Sequence, residues 1–190
     1  MTQVDWTRLP EPADDGAAAH LTGMDLPDLN MPATNGPIIN LSDLRGITVL
    51  YLYPMTGRPD RDLPENWDDI PGARGCTPQS CAFRDHFAKL RDYGVDQLLG
   101  ISTQDTAYQT EAAERLHLPF PLLSDADGKL RAALELPTMT VEGDVLLSDV
   151  LLKRLTMIAR DGVIEQVFYP VFPPDQDADN VIDSLRSHAE

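Results

Sequence analysis

Basic residues and cysteines are scarce in this chain. Its 190 residues carry 15 Lys and Arg against 31 Asp and Glu, a formal net charge of −16 at pH 7. A surface that acidic repels phosphate backbones and anionic headgroups, so neither nucleic acid nor a membrane surface is an expected partner. No apolar run is long enough to cross a bilayer. The N-terminus has no basic start followed by an apolar stretch, which sets the cytoplasm as the expected location. Internal repeats and low-complexity tracts are missing too. The four histidines, His20, His86, His117 and His188, are scattered without ligand spacing, so no metal is expected, and no cofactor. Two cysteines are too few for a structural disulfide framework. A close pair in a cytoplasmic chain is more often redox-active or metal-binding.

The chain has the composition of a soluble globular domain, 42% hydrophobic and 24% charged. Residues 1–20, polar and acidic, are expected to form a flexible arm, followed by one domain over 21–190. Between Leu21 and Asn40 short apolar pieces broken by Gly, Pro and Asn suggest a small hairpin. Ile47 to Tyr53 is β-branched and aromatic and stops at Pro54, the pattern of a buried central strand. Residues 55–75 are rich in Pro, Gly and acids and form a long loop, of the kind that is often functional. Trp67, Ile70 and Leu63 could give that loop apolar cover, with Asp60, Asp62, Glu65, Asp68 and Asp69 outside. A helix is predicted next, with Phe83, Phe87 and Leu90 on one face and Gly94 as its stop. Further on come strands at 98–102 and 121–124, helices at 105–117 and 127–136, and two strands, 151–159 and 163–168, around the Asp161-Gly162 turn. A last helix covers 176–188. This order predicts an α/β domain, a mixed sheet with helices on both faces.

Chemistry is concentrated in Cys76-Thr-Pro-Gln-Ser-Cys81, at the boundary between loop and helix. A helix N-terminus carries partial positive charge and unpaired N–H groups, which favour a thiolate, and the thiolate is the nucleophile. Cys76 is therefore the better placed sulfur. Positions i and i+5 of a helix lie roughly 8–9 Å apart between Cα atoms. A disulfide tolerates about 7 Å at most, so the two can be bridged only if the helix unwinds. The alternative is that both are small buried hydrophobes.

Tyr51-Leu-Tyr-Pro54, the run from Gly75 to Asp85, Gly100-Ile-Ser-Thr103, Pro121 to Gly128 and Arg154 to Gly162 together resemble the peroxiredoxins, most closely the bacterioferritin-comigratory or Q-type branch. The resemblance covers roughly 21–188. It implies a thioredoxin-like fold and a thiol peroxidase in which Cys76 attacks a hydroperoxide and Cys81 resolves the sulfenic acid. It also implies recycling by thioredoxin or a similar dithiol, a monomer or homodimer, and a late-strand arginine, Arg154, beside the thiolate. Strand alternation would put Leu152, Arg154, Thr156 and Ile158 on one face.

Two positions depart from the family pattern. Asp69 and Ala73 stand where the family has Pro and Thr or Ser, so Pro54 and Thr56 are the expected substitutes, with an insertion at about 55–75 to bring Thr56 back over Cys76. Gln79 stands where a Glu is frequent, an amide without charge. Competing functions are a thiol–disulfide oxidoreductase, for which four intervening residues is the wrong spacing, and a peroxide-sensing interaction protein without turnover.

Overall fold

The computed structural model describes residues 4–141 and 150–187; His188 lies outside them. In chain order the elements are β1 (Asn30–Pro32), β2 (Ile38–Asn40), β3 (Ile47–Leu52), α1 (Cys76–Asp85), α2 (Phe87–Asp92), β4 (Val95–Ser102), α3 (Thr106–Arg115) and β5 (Leu122–Ser124). They continue with α4 (Lys129–Ala133), β6 (Thr138–Thr140), β7 (Val150–Leu152), β8 (Leu155–Arg160), β9 (Val163–Phe168) and α5 (Asp177–Ser187). Among the described residues the main sheet has five strands in the order β5-β4-β3-β8-β9. β3 runs parallel to β4 and antiparallel to β8. β1 and β2 form the expected small hairpin.

β3 explains where the site sits. As the middle strand it is covered on both faces, which its continuous apolar run requires. Period-two alternation sends Val49, Tyr51 and Tyr53 to a cluster with Cys76, Phe83, Leu90 and the α5 residues Val181, Ile182 and Leu185. Leu50 and Leu52 go the other way, to Met31, Leu41, Leu130 and Met157. Tyr51 stacks on Phe83 at 4.5 Å between ring centroids, and its hydroxyl donates to Ser80 Oγ at 3.2 Å, which fixes α1 over the sheet. Gly100 opposite Tyr51 leaves room for that ring: a Cβ there would lie 2.5 Å from the Tyr51 hydroxyl. The architecture is the thioredoxin-like α/β arrangement.

Three expectations are corrected, and the apolar cover of the 55–75 loop is as expected. Over its described residues the N-terminal arm is anchored: the Trp6 indole donates to Asp175 at 2.8 Å, Ala18 is buried, and Asp15 pairs with Lys153 at 2.6 Å and accepts from the Tyr169 hydroxyl at 2.7 Å. Its acids find partners far along the chain, which local composition does not reveal. The strand at 151–159 is two strands, β7 pairing with β6 and β8 with β3, broken at Lys153 and Arg154. Leu152 consequently packs with Leu155 and Met157, on the face opposite Ile158. The helix after Cys76 is interrupted at His86 into α1 and α2. The 55–75 loop contains a 3-10 turn at Trp67–Asp69. Its Trp67 is buried with Met55, Ala73, Val141 and Leu151, while Asp60, Asp62, Glu65, Asp68 and Asp69 face solvent.

Candidate active site

Cys76 opens α1, directly after Gly75 at φ 109°. That left-handed backbone favours glycine, and a Cβ there would stand 2.6 Å from Pro174 and 3.0 Å from the Trp6 ring. The sharp entry places Cys76 in the first turn, among N–H groups without intrahelical partners. Its side chain is buried, and its Sγ lies 3.6 Å from the Ala73 carbonyl.

Arg154 reaches this sulfur from the break between β7 and β8. Its Nη2 donates to Cys76 Sγ at 3.2 Å and faces the carbonyls of Gly72, Ala73 and Arg74 at 3.2–3.3 Å. Its Nη1 donates to Gln79 Oε1. Only 2% of Arg154 is exposed, so the guanidinium works in a low-dielectric setting where its charge is felt strongly. Its Nε meets no hydrogen-bond partner among the described residues.

Behind it lies a second layer. Gln79 Nε2 donates to Asp177 Oδ2 at 2.7 Å, and the Thr156 hydroxyl donates to the same oxygen at 2.7 Å. Asp177 is fully buried; burial pushes its carboxyl up to about 6, against the hydrogen bonds from Gln79 and Thr156 and the charge of Arg154. Neither Asp177 nor Thr156 was singled out as a site residue by sequence. The available signal was periodicity: Asp177 shares the buried stripe of α5 with Ala178, Val181, Ile182 and Leu185, an odd place for a carboxylate.

Cys81 lies further along the same wound helix, and both cysteines are free. Burial pushes the Cys81 thiol up, opposed by Arg84. At helical spacing their Cα atoms stand beyond disulfide reach.

Thr56 and Pro54 are not partners of Cys76 or Arg154 in the described structure. Both are buried in the bend after β3. The Thr56 N–H and hydroxyl donate to Gln104 Oε1 at 3.0 and 3.1 Å, and its carbonyl accepts from Gln104 Nε2 at 3.2 Å. The amide of Gln104 thus occupies the hydroxyl expected over the sulfur. At Ala73 only the backbone carbonyl serves the site. A cavity of about 360 Å³ adjoins Arg154, with Ile70, Gly72, Met139 and Tyr169 on one side and Pro12 and Asp15 of the arm on the other.

The family model described as Redoxin matches residues 21–182. The chain is 30% identical over 166 residues to the chloroplastic peroxiredoxin Q of Arabidopsis thaliana, covering 87% of this chain and 67% of that one. It is 28% identical over 169 residues to the counterpart of Oryza sativa subsp. japonica, covering 87% and 66%. It therefore spans about two thirds of the length of these curated relatives. Among solved structures, peroxidoxin BcpB from Mycobacterium tuberculosis superposes with a TM-score of 0.67 at 29% identity, covering 87% of this chain and 96% of that one. Xanthomonas campestris peroxiredoxin Q gives 0.66 at 20% identity, covering 96% and 99%, a likeness of fold.

Proposed function

The chain belongs to the Redoxin family, among its Q-type peroxiredoxins, and on that footing we propose that it is a thiol peroxidase with Cys76 as nucleophile. The observation that carries this reading is the buried Arg154 guanidinium donating to Cys76 Sγ at 3.2 Å in the first turn of α1. A guanidinium has more donors than the sulfur uses, so it can hold a peroxide oxygen while it steadies the thiolate.

The Cys76 thiolate attacks the terminal oxygen of a hydroperoxide. An S–O bond forms, the O–O bond breaks, and the departing alkoxide or hydroxide takes a proton to leave as alcohol or water. Charge grows on that leaving oxygen, where N–H donors already in place cost no reorganisation. Cysteine is now the sulfenic acid. Cys81 then displaces its hydroxyl as water and closes the disulfide, for which α1 must unwind. An external dithiol of the thioredoxin kind reopens it by exchange. Apolar residues that line the cavity at Arg154, among them Ile70 and Met139, suit the organic part of an alkyl hydroperoxide, and hydrogen peroxide is small enough to enter as well. We place this chemistry in a reducing compartment such as the cytoplasm, where a close cysteine pair is more often redox-active than structural.

Stopped-flow mixing of the reduced protein with hydrogen peroxide, followed by mass spectrometry, tests the assignment. The expected product is a Cys76–Cys81 disulfide. Cys76→Ser should abolish fast oxidation, while Cys81→Ser should react once and then fail to recycle with a dithiol. Equal, full activity in both variants would sink it.

A further inference from the structure

Gln79 stands on α1 between the two cysteines, and its amide is held at both ends. An ionised carboxylate only accepts hydrogen bonds, so Asp177 selects the Nε2 end of the amide. That leaves Oε1 facing Arg154, which only donates. A flipped amide would set donor against donor at Arg154 and acceptor against acceptor at Asp177. Asp177 is also tied by the Thr156 hydroxyl to β8, which begins one residue after Arg154. One carboxylate thus braces the helix that carries the nucleophile against the strand that continues from its cation. Its other oxygen, Oδ1, is buried without a partner among the described residues, which burial makes costly.

We propose that Asp177 is a positioning residue: through Gln79 it holds Arg154 on Cys76 while α1 is wound, and its release of Gln79 is part of the unwinding that lets Cys81 reach the oxidised sulfur. This rests on the peroxidase reading. Geometry gives the two steps opposite dependence on the same link. Attack needs the guanidinium at the sulfur, where a displacement of an ångström is felt strongly in rate. Disulfide closure needs Cys76 and Cys81 drawn together, and Gln79 cannot remain on both Asp177 and Arg154 once the intervening turn opens. Removing the carboxylate should slow the first step and quicken the second. A residue that merely stabilises the fold would not divide the two in this way.

The test is rapid mixing of hydrogen peroxide with the reduced parent, Asp177→Ala and Asp177→Asn, following attack and disulfide closure as separate phases. In Asp177→Ala attack should slow about tenfold or more. Closure should become about threefold faster or more, since a hydrogen bond to a charged group no longer opposes it. Asp177→Asn keeps an acceptor oxygen for Gln79 and Thr156 and should return attack to within about threefold of the parent. Unchanged attack in the Ala variant, both steps slowed together, or an Asn variant as slow as Ala would each overturn the proposal. Should the Ala variant fail to fold, Gln79→Met breaks the same link from the other end and must show the same opposite shifts. A parent that reacts no faster than an ordinary thiol refutes the peroxidase reading itself, and that outcome is visible before any variant is compared.

Discussion

Two sulfurs on one short helix live in different chemistry. Cys76 sits at the first helical position, with Arg154 Nη2 at 3.2 Å and a ring of backbone carbonyls locking that cation in place. Cys81, five residues on, is also buried, but burial there pushes its thiol up. The difference is one of company. Depth below the surface is similar for the two, at 3% and 7% exposed. On the proposed reading a nucleophile and its resolving partner share a helix without competing for the same peroxide, because only the residue at the helix start meets Arg154.

The sharpest way to erase that contrast is Arg154→Ala. It should slow Cys76 oxidation by about a hundredfold or more, on the scale set by removing a donor at a developing negative charge. Arg154→Lys should recover only part of the rate, because an ammonium cannot present the same planar fork. Single-turnover oxidation measures both; an unchanged rate in the Ala variant would remove Arg154 from the site.

A smaller effect concerns the layer behind Cys76. The folded protein raises the Asp177 carboxyl from 3.8 to about 6, so the native state holds that proton more tightly than the unfolded chain does. Raising the pH across this window therefore costs stability, and the cost is complete above the folded value. Asparagine has no proton to lose. The stability of Asp177→Asn relative to the parent should thus rise between pH 4 and pH 6.5, by about 2 kcal/mol. Urea unfolding of the reduced proteins at the two pH values measures it, and a difference independent of pH would contradict the shift.

The smallest effect on chemistry is expected at Thr56. With its hydroxyl bound to Gln104, Thr56→Val should leave the Cys76 oxidation rate within about twofold and lower stability by about 1 kcal/mol. A loss of oxidation rate comparable to that of Arg154→Ala would show that the hydroxyl acts on the sulfur after all.

What the sequence made legible was local. β3 could be read because a β-branched and aromatic run ended by proline needs no distant information, and the same holds for Cys76 at a helix start and the turn at Asp161-Gly162. Arg154 is legible through its motif, and alternation puts Thr156 and Ile158 on its side, but Leu152 lies on the other because of a break that only the pairing of β7 with β6 creates. Thr56 was given to the wrong partner since Gln104 is 48 residues away in sequence. Asp177 and Gln79 are 98 residues apart, and the arm reaches its anchors over separations up to 169. Such contacts leave no periodic trace. The one exception is the carboxylate on the apolar stripe of α5, which periodicity alone sets apart.

The crowded entry to α1 has an optical consequence. The chain holds two tryptophans, and they flank this entry. Trp6 stacks edge-on against Phe172 and lies over Gly75, while Trp67 is buried in the cluster that contains Ala73. On the proposed mechanism the first turn of α1 opens, which would disturb Gly75 beneath Trp6 and Ala73 in the Trp67 cluster. The protein's own ultraviolet emission is therefore expected to change as the Cys76–Cys81 disulfide forms, and a fluorescence titration with hydrogen peroxide measures it.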